Sequence, residues 1–276
     1  MEKNFTLIAE VDELVAVLAL SDADAKVLSE RVHQFPQAST ILMQLLRHNE
    51  VCCEQGNDDA ALLAESLAYS TLQASSEFKH WLAAHQAKQL PASVSDAQPL
   101  MLTREHNILL VEFNRPHVRN AYSAAMRDAL FEALSLLDTD LTIEKCVISG
   151  AGDCFCVGGD LSEFGLVTDP AYAHVIRSTR NVASLLLKNA ARIECHVHRA
   201  CIGSGIELPA FASSVIASGD TFFQLPELAM GLIPGAGGTV SILKRIGRHR
   251  LAWWVLSGKK INAQTALTWG LIDEIC

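Results

Sequence analysis

Residues 198–238 read HRACIGSGIELPAFASSVIASGDTFFQLPELAMGLIPGAGG. Gly203-Ser204-Gly205 is a glycine-rich turn that should open a short helix, leaving free backbone N–H groups at the positive end of the helix dipole. Such a terminus can hold a developing oxyanion. Glu207 falls just inside that helix. Glu227 follows 20 residues later, behind Pro226 and ahead of a second glycine-rich loop, 234–238. Glu207 and Glu227 both lie among apolar neighbours, where an unpaired carboxylate is expensive to bury. If the two converge, repulsion and desolvation raise at least one of their pKa values, giving a neutral acid beside a charged base. An oxyanion hole beside two carboxylates suits proton transfers next to a thioester carbonyl.

Upstream, Ile193–His198 reads as a buried strand feeding the turn. Ile108–Phe113 and Cys146–Ser149 read as two earlier strands, with a Ser123-capped helix to about Leu137 between them and a helix near 170–189 after them. Val215–Ala217 and Phe222-Phe223 suggest further short strands. Helices near 236–246, 248–257 and 263–269 precede a last strand at 271–275. Strands alternating with helices imply crossover units and a largely parallel sheet, with sites at strand C-terminal ends. The second strand runs into Val157-Gly158-Gly159-Asp160, a second place where backbone can approach a ligand closely, and Gly159 is the candidate for the second oxyanion donor.

Residues 1–90 carry a different pattern. Val11, Leu14, Val15 and Leu18 recur at helix spacing, Ser21–Asp24 marks a stop and a new cap, and ILMQLL at 41–46 is another apolar helical patch. Asp58-Asp59 should open a longer helix with Leu63, Leu67, Ala74, Phe78 and Trp81 on one face. Residues 91–99, PASVSDAQP, have a linker's composition. This gives two regions: helical 1–95 and an α/β core at 96–276.

The composition sets outer limits. With 276 residues, half of them hydrophobic, the chain can bury a sizeable core, and a net charge of −9 argues against nucleic-acid or acidic-membrane partners. The eight cysteines include Cys52-Cys53 and Cys154-x-Cys156, neither a metal nor a redox spacing, so reduced thiols and a cytoplasmic location are expected. The first residues show no targeting pattern, and no stretch reads as a membrane span. His33, His48, His80 and His85 are scattered at no ligand spacing, and no metal site is expected.

Residues 104–276 resemble the crotonase superfamily, that of the enoyl-CoA hydratases and isomerases. Four stretches carry the likeness: Asn114-Arg-Pro-x-x-x-Asn-Ala121, Phe155-x-x-Gly-Gly-Asp-Leu161, Gly203-x-Gly-x-Glu-Leu208 and Pro226-Glu-x-x-x-Gly-Leu-Ile-Pro-Gly-Ala-Gly-Gly238. The resemblance implies a crotonase-like ββα spiral core, here with an added N-terminal helical region and no C-terminal helical tail. It also implies an oxyanion hole from the amides of Gly159 and Ser204, and Glu207 and Glu227 as the glutamate pair of the hydratases. Arg115, Ala121, Val157, Gly158, Asp160, Leu161, Gly203, Pro234 and Gly235 fall in the motifs that surround the substrate. The implied reaction is syn addition of water to a 2-enoyl thioester, with coenzyme A entering only as part of the substrate. Retention of both glutamates favours hydration over isomerisation. The scaffold also supports isomerase, hydrolase and oxygenase chemistry, or a non-catalytic assembly subunit. Relatives form trimers or hexamers, so a homo-oligomer is expected.

Three departures from the family pattern stand out. Ser204 replaces the usual glycine, which leaves the backbone donor intact. Ser162 replaces a lysine that can meet the nucleotide of CoA, so a carrier protein's pantetheine is a second candidate carrier. The chain stops after the last core strand, and the N-terminal helices are expected to take over part of the covering of the acyl pocket.

Overall fold

The computed structural model describes residues 5–86 and 98–276. Five helices come first: α1 (Phe5–Val17), α2 (Asp22–Gln34), α3 (Pro36–Glu54), α4 (Asp58–Gln73) and α5 (Ser76–Gln86). Ser21 caps α2 by accepting from the Asp24 amide at 3.2 Å, and Pro36 sits in the first turn of α3, where its missing N–H costs nothing. Val11, Leu14, Leu28, Leu42 and Leu46 are buried and bind these helices together. The linker at 91–99 and the 95/96 boundary fall largely at 87–97, outside the described residues.

After the linker come β1 (Leu100–Glu105), β2 (Ile108–Phe113), α6 (Ala124–Thr139) and β3 (Lys145–Gly150). Then follow α7 (Pro170–Thr179), α8 (Val182–Asn189), β4 (Ile193–Val197), β5 (Ala200–Ile202) and α9 (Ser204–Glu207). The chain continues through β6 (Ser214–Ala217), β7 (Phe222–Gln224), α10 (Gly238–Ile246) and α11 (Arg248–Ser257) to β8 (Ile261–Asn262), α12 (Ala263–Trp269) and β9 (Glu274–Ile275). Ser123 caps α6 as expected, and Met126, Leu130, Leu134 and Leu137 are fully buried along one stripe.

The main sheet runs β1-β2-β3-β4-β6-β9, parallel except for the antiparallel β1–β2 pair. Val111, Ile148, Cys195 and Val215 lie in register across four strands and form its buried spine. The second sheet, β5-β7-β8, is smaller. The strand before the glycine turn therefore does not feed it directly. The chain turns at Arg199, whose φ is +55°, and changes sheets through β5. Cys156 pairs with β5: its amide donates to the Ala200 carbonyl at 3.1 Å, and its carbonyl accepts from the Ile202 amide at 3.0 Å. This pairing lays the 157–160 loop beside the 203–207 turn.

The helix anticipated at 170–189 is two helices, because Asn181 accepts from the Ser184 amide at 3.1 Å and starts α8 anew. The anticipated face beyond Asp58 also differs. Leu63 and Leu67 are half exposed, the helix breaks after Gln73, and the buried face is Ala61, Leu62, Glu65 and Leu72. The reason is tertiary: that face packs on α7 and α10. The helical region meets the core through charge as well. Arg248 of α11 binds Glu13 of α1 and Glu50 of α3, each at 2.9 Å, and hydrogen bonds from His249 and Arg248 hold the Glu13 carboxyl down to about 2. No described helix is long and apolar enough to cross a membrane.

Candidate active site

A cavity of about 590 Å³ opens between the 157–161 loop, the 203–207 turn, the 226–237 segment and helices α4, α5 and α7. Its floor is main chain. Gly203 has φ +51°, and a Cβ there would stand 2.6 Å from Glu227 Oε1 and 3.8 Å from Glu207 Oε1. Only glycine fits, and the same two distances show both carboxylates facing one small volume. Ser204 begins α9, so its amide lacks an intrahelical acceptor. Neither it nor the Gly159 amide donates to another group among the described residues. Both residues line the cavity, offering two unspent donors from separate loops.

The two glutamates are held differently. Glu207 Oε2 accepts from the amides of Ala236 and Gly238 at 2.8 and 3.1 Å, while its Oε1 remains toward Gly203. Glu227, in the short 3-10 turn after Pro226, keeps a buried Oε2 with no hydrogen-bond partner. Burial pushes the Glu227 carboxyl up to about 8. Burial together with the charges of Glu227 and Glu65 pushes Glu207 well above the ordinary range, and the two amide donors offset part of this. The pair titrates as a unit. Within it, the amide-bonded Glu207 is better suited to carry the negative charge.

Of the residues singled out from sequence, Val157, Gly158, Gly159, Asp160, Leu161, Gly203, Ser204, Glu207, Glu227 and Gly235 line this cavity. Arg115, Ala121 and Pro234 do not. Arg115 lies behind the floor, donating to Asp160 Oδ2 at 3.0 Å and to the Ala121 carbonyl at 2.6 Å, so it braces the 158–161 loop. Ala121 is buried in that brace, and Pro234 is buried at the start of the glycine loop. Ser162 is occupied by Asp160, to which its hydroxyl donates at 2.6 Å. His198 donates to or accepts from nothing in the cavity; its Nε2 lies 3.0 Å from the Gly152 carbonyl.

The N-terminal helices line the cavity as well, with Phe78 and Trp81 from the apolar face read in the sequence and Glu65 and Tyr69 beyond it. Glu65 and Tyr69 come from α4, and Phe78, Trp81 and His85 from α5, with Trp81 stacked on His85 at 4.7 Å and Phe78 packed on Trp81 at 5.8 Å. Glu65 was findable: it lies in AALLAESLAY, an apolar helical context like that of Glu207. Burial pushes Glu65 up to about 7. Among the described residues no group of three or more His, Cys, Asp and Glu side chains could hold a metal ion, and all eight cysteines are free thiols.

Three carboxyls raised by burial give the fold a pH signature. Below their ordinary value of 4.5 they are protonated in both states. Above it the unfolded chain releases protons that the folded chain keeps, so stability falls as pH rises from about 4.5 and levels off once pH passes about 7 and about 8. Tm should therefore drop between about pH 5 and about pH 8 and flatten above that. Thermal melts across that range check it, and a flat profile would mean that the three groups are not buried together.

The family model described as "Enoyl-CoA hydratase/isomerase" matches residues 103–276, leaving α1–α5 outside the match. The chain is 34% identical over 178 residues to the 2,3-dehydroadipyl-CoA hydratase of Escherichia coli, covering 64% of this chain and 68% of that protein. It is 28% identical over 174 residues to the mitochondrial enoyl-CoA hydratase of Pongo abelii, covering 63% of this chain and 59% of the relative. Among solved structures, an enoyl-CoA hydratase from Thermoplasma volcanium superposes with a TM-score of 0.60 at 31% identity, over 65% of this chain and 72% of that one.

Proposed function

Because the chain belongs to the enoyl-CoA hydratase/isomerase family, we propose that it adds water across the double bond of a 2-enoyl thioester. The observation that carries this reading is the facing of Glu207 and Glu227 across one cavity beside the two free amides of Gly159 and Ser204. The thioester carbonyl lies against those amides. Glu207 takes a proton from a water held between the carboxylates, and the water oxygen bonds to Cβ. The Cα–Cβ π pair moves onto the carbonyl as an enolate, which the two amides stabilise without losing a proton. Glu227 then delivers its proton to Cα, and the pair re-shares the proton that Glu207 gained. Atoms balance as one water added. An isomerase needs one carboxylate to move one proton, whereas the partnerless Glu227 beside an anchored Glu207 supplies an acid and a base together.

Coenzyme A enters this reading as the carrier half of the substrate and stays bound to the acyl group throughout, with no other cofactor. The test is a panel of 2-enoyl thioesters followed by loss of conjugated-alkene absorbance, with each acyl chain offered on CoA and on a carrier protein's pantetheine. Turnover to the 3-hydroxyacyl product is expected, with a bell-shaped pH dependence of kcat that reports one ionised and one protonated carboxyl. Absence of hydration on every chain and carrier would overturn the reading.

A further inference from the structure

We infer that Glu65, on α4 and outside the segment matching the family, is a positioning residue for the reacting glutamates: it holds the backbone at 237 and 239 while Glu207 holds it at 236 and 238. This rests on the reading of Glu207 and Glu227 as the reacting pair. Four successive amides point alternately to two carboxylates. Ala236 and Gly238 donate to Glu207 Oε2, Gly237 donates to Glu65 Oε1 at 2.7 Å, and Thr239 donates to Glu65 Oε2 at 2.9 Å. The Thr239 hydroxyl adds a third bond to Glu65 at 2.6 Å and accepts from Asn49 Nδ2 of α3 at 3.0 Å. The glycine loop is thus clamped from both sides, and moving one carboxylate moves the track on which the other rides.

A carboxylate is needed for this. It offers two acceptor oxygens to two separate amides, whereas a carboxamide offers one oxygen and turns donors toward the other amide. A buried amide left without an acceptor is costly, so the loop would shift. The charge matters too. The titratable groups around Glu65 are Glu207 of α9, Glu227 of the 226–230 turn, Tyr69 of its own helix and Arg177 of α7. Arg177 forms no ion pair among the described residues. It lies over the Tyr69 ring at 4.9 Å and donates to Ser66, Ser70 and Gln73. An ionised Glu65 therefore opposes ionisation of both reacting carboxyls, and helps keep one of them protonated for delivery to carbon.

The experiment compares the full wild-type chain with Glu65→Gln and Glu65→Asp, using a four-carbon 2-enoyl-CoA as substrate. For Glu65→Gln, kcat should fall on the order of 10–100-fold through misplacement of the base, with KM little changed. Its pH optimum should move to lower pH, because a neutral group now faces Glu207 and Glu227. Glu65→Asp, which keeps the charge, should restore the wild-type optimum. An unchanged kcat and optimum, or a lower kcat with an unmoved optimum, overturns the inference while hydration by the wild type leaves the reading of the site intact. A wild type that hydrates no thioester removes that reading itself, and the inference with it. If Glu65→Gln does not fold, Thr239→Val decides: it removes one donor that favours the Glu65 anion and should move the optimum the same way by a smaller amount.

Discussion

Glu227→Gln is expected to lower kcat by about 10²–10⁴-fold, the range carried by a positioned proton donor. The carboxyl is buried, one oxygen has no protein partner, and the other stands where a Cβ on Gly203 would touch it. A glutamine fills the same volume and keeps the cavity shape, but cannot give a proton to carbon. Binding of the thioester is made elsewhere, so KM should change far less than kcat. The variant should also melt higher than wild type above about pH 8, since it has no carboxyl to ionise in that pocket. That second measurement separates lost chemistry from lost folding. A variant as active as wild type would take the proton-transfer scheme away, because no other unpartnered acid faces the floor of the cavity among the described residues.

The second large effect is expected at Ser204. Ser204→Gly should leave kcat nearly unchanged, since the donor is main chain and the serine hydroxyl makes only a long 4.0 Å approach to Cys156 Sγ. Ser204→Pro removes the N–H itself. Proline suits the first position of a helix, so α9 can still form, but the ring now stands where the enolate oxygen must lie. Loss of one oxyanion donor costs on the order of 10²–10³ in kcat. Steady-state kinetics on the two variants, with circular dichroism to confirm folding, checks the pair. Equal activity in both would show that the Ser204 amide does not hold the developing charge.

The contrast between these two positions and Glu65 shows what a sequence discloses. β2, β3 and β4 were legible because their buried residues alternate or run together and turn signals bracket them. β1 was not: apart from Leu100 its residues are exposed, and it exists because the backbone of β2 offers it a ladder. β5 and β8, of three and two residues, are too short for any periodicity and are defined by pairing with β7. The glycine turn and the two later glutamates could be read from spacing and from the family likeness. Glu65 carries the same apolar-context signal, but the spacing of Leu63 and Leu67 points to a different face of α4 and masks it. The face that matters carries Glu65 and Tyr69, and what selects it is a loop more than 170 residues away. Arg115 illustrates the converse. It falls in a recognisable motif, yet its work is done behind the cavity floor.

The charged clamp between α1, α3 and α11 joins positions up to 236 residues apart in the chain. During synthesis the five leading helices emerge long before the segments that cover their apolar faces. Contacts this far apart in sequence form slowly, so the faces of α1, α3 and α4 that pack on α10 and α11 stay uncovered until those helices have formed. The cavity therefore comes into being late, and an intact one certifies that both halves of the polypeptide have met. Chaperone demand and susceptibility to clumping should concentrate in that waiting interval.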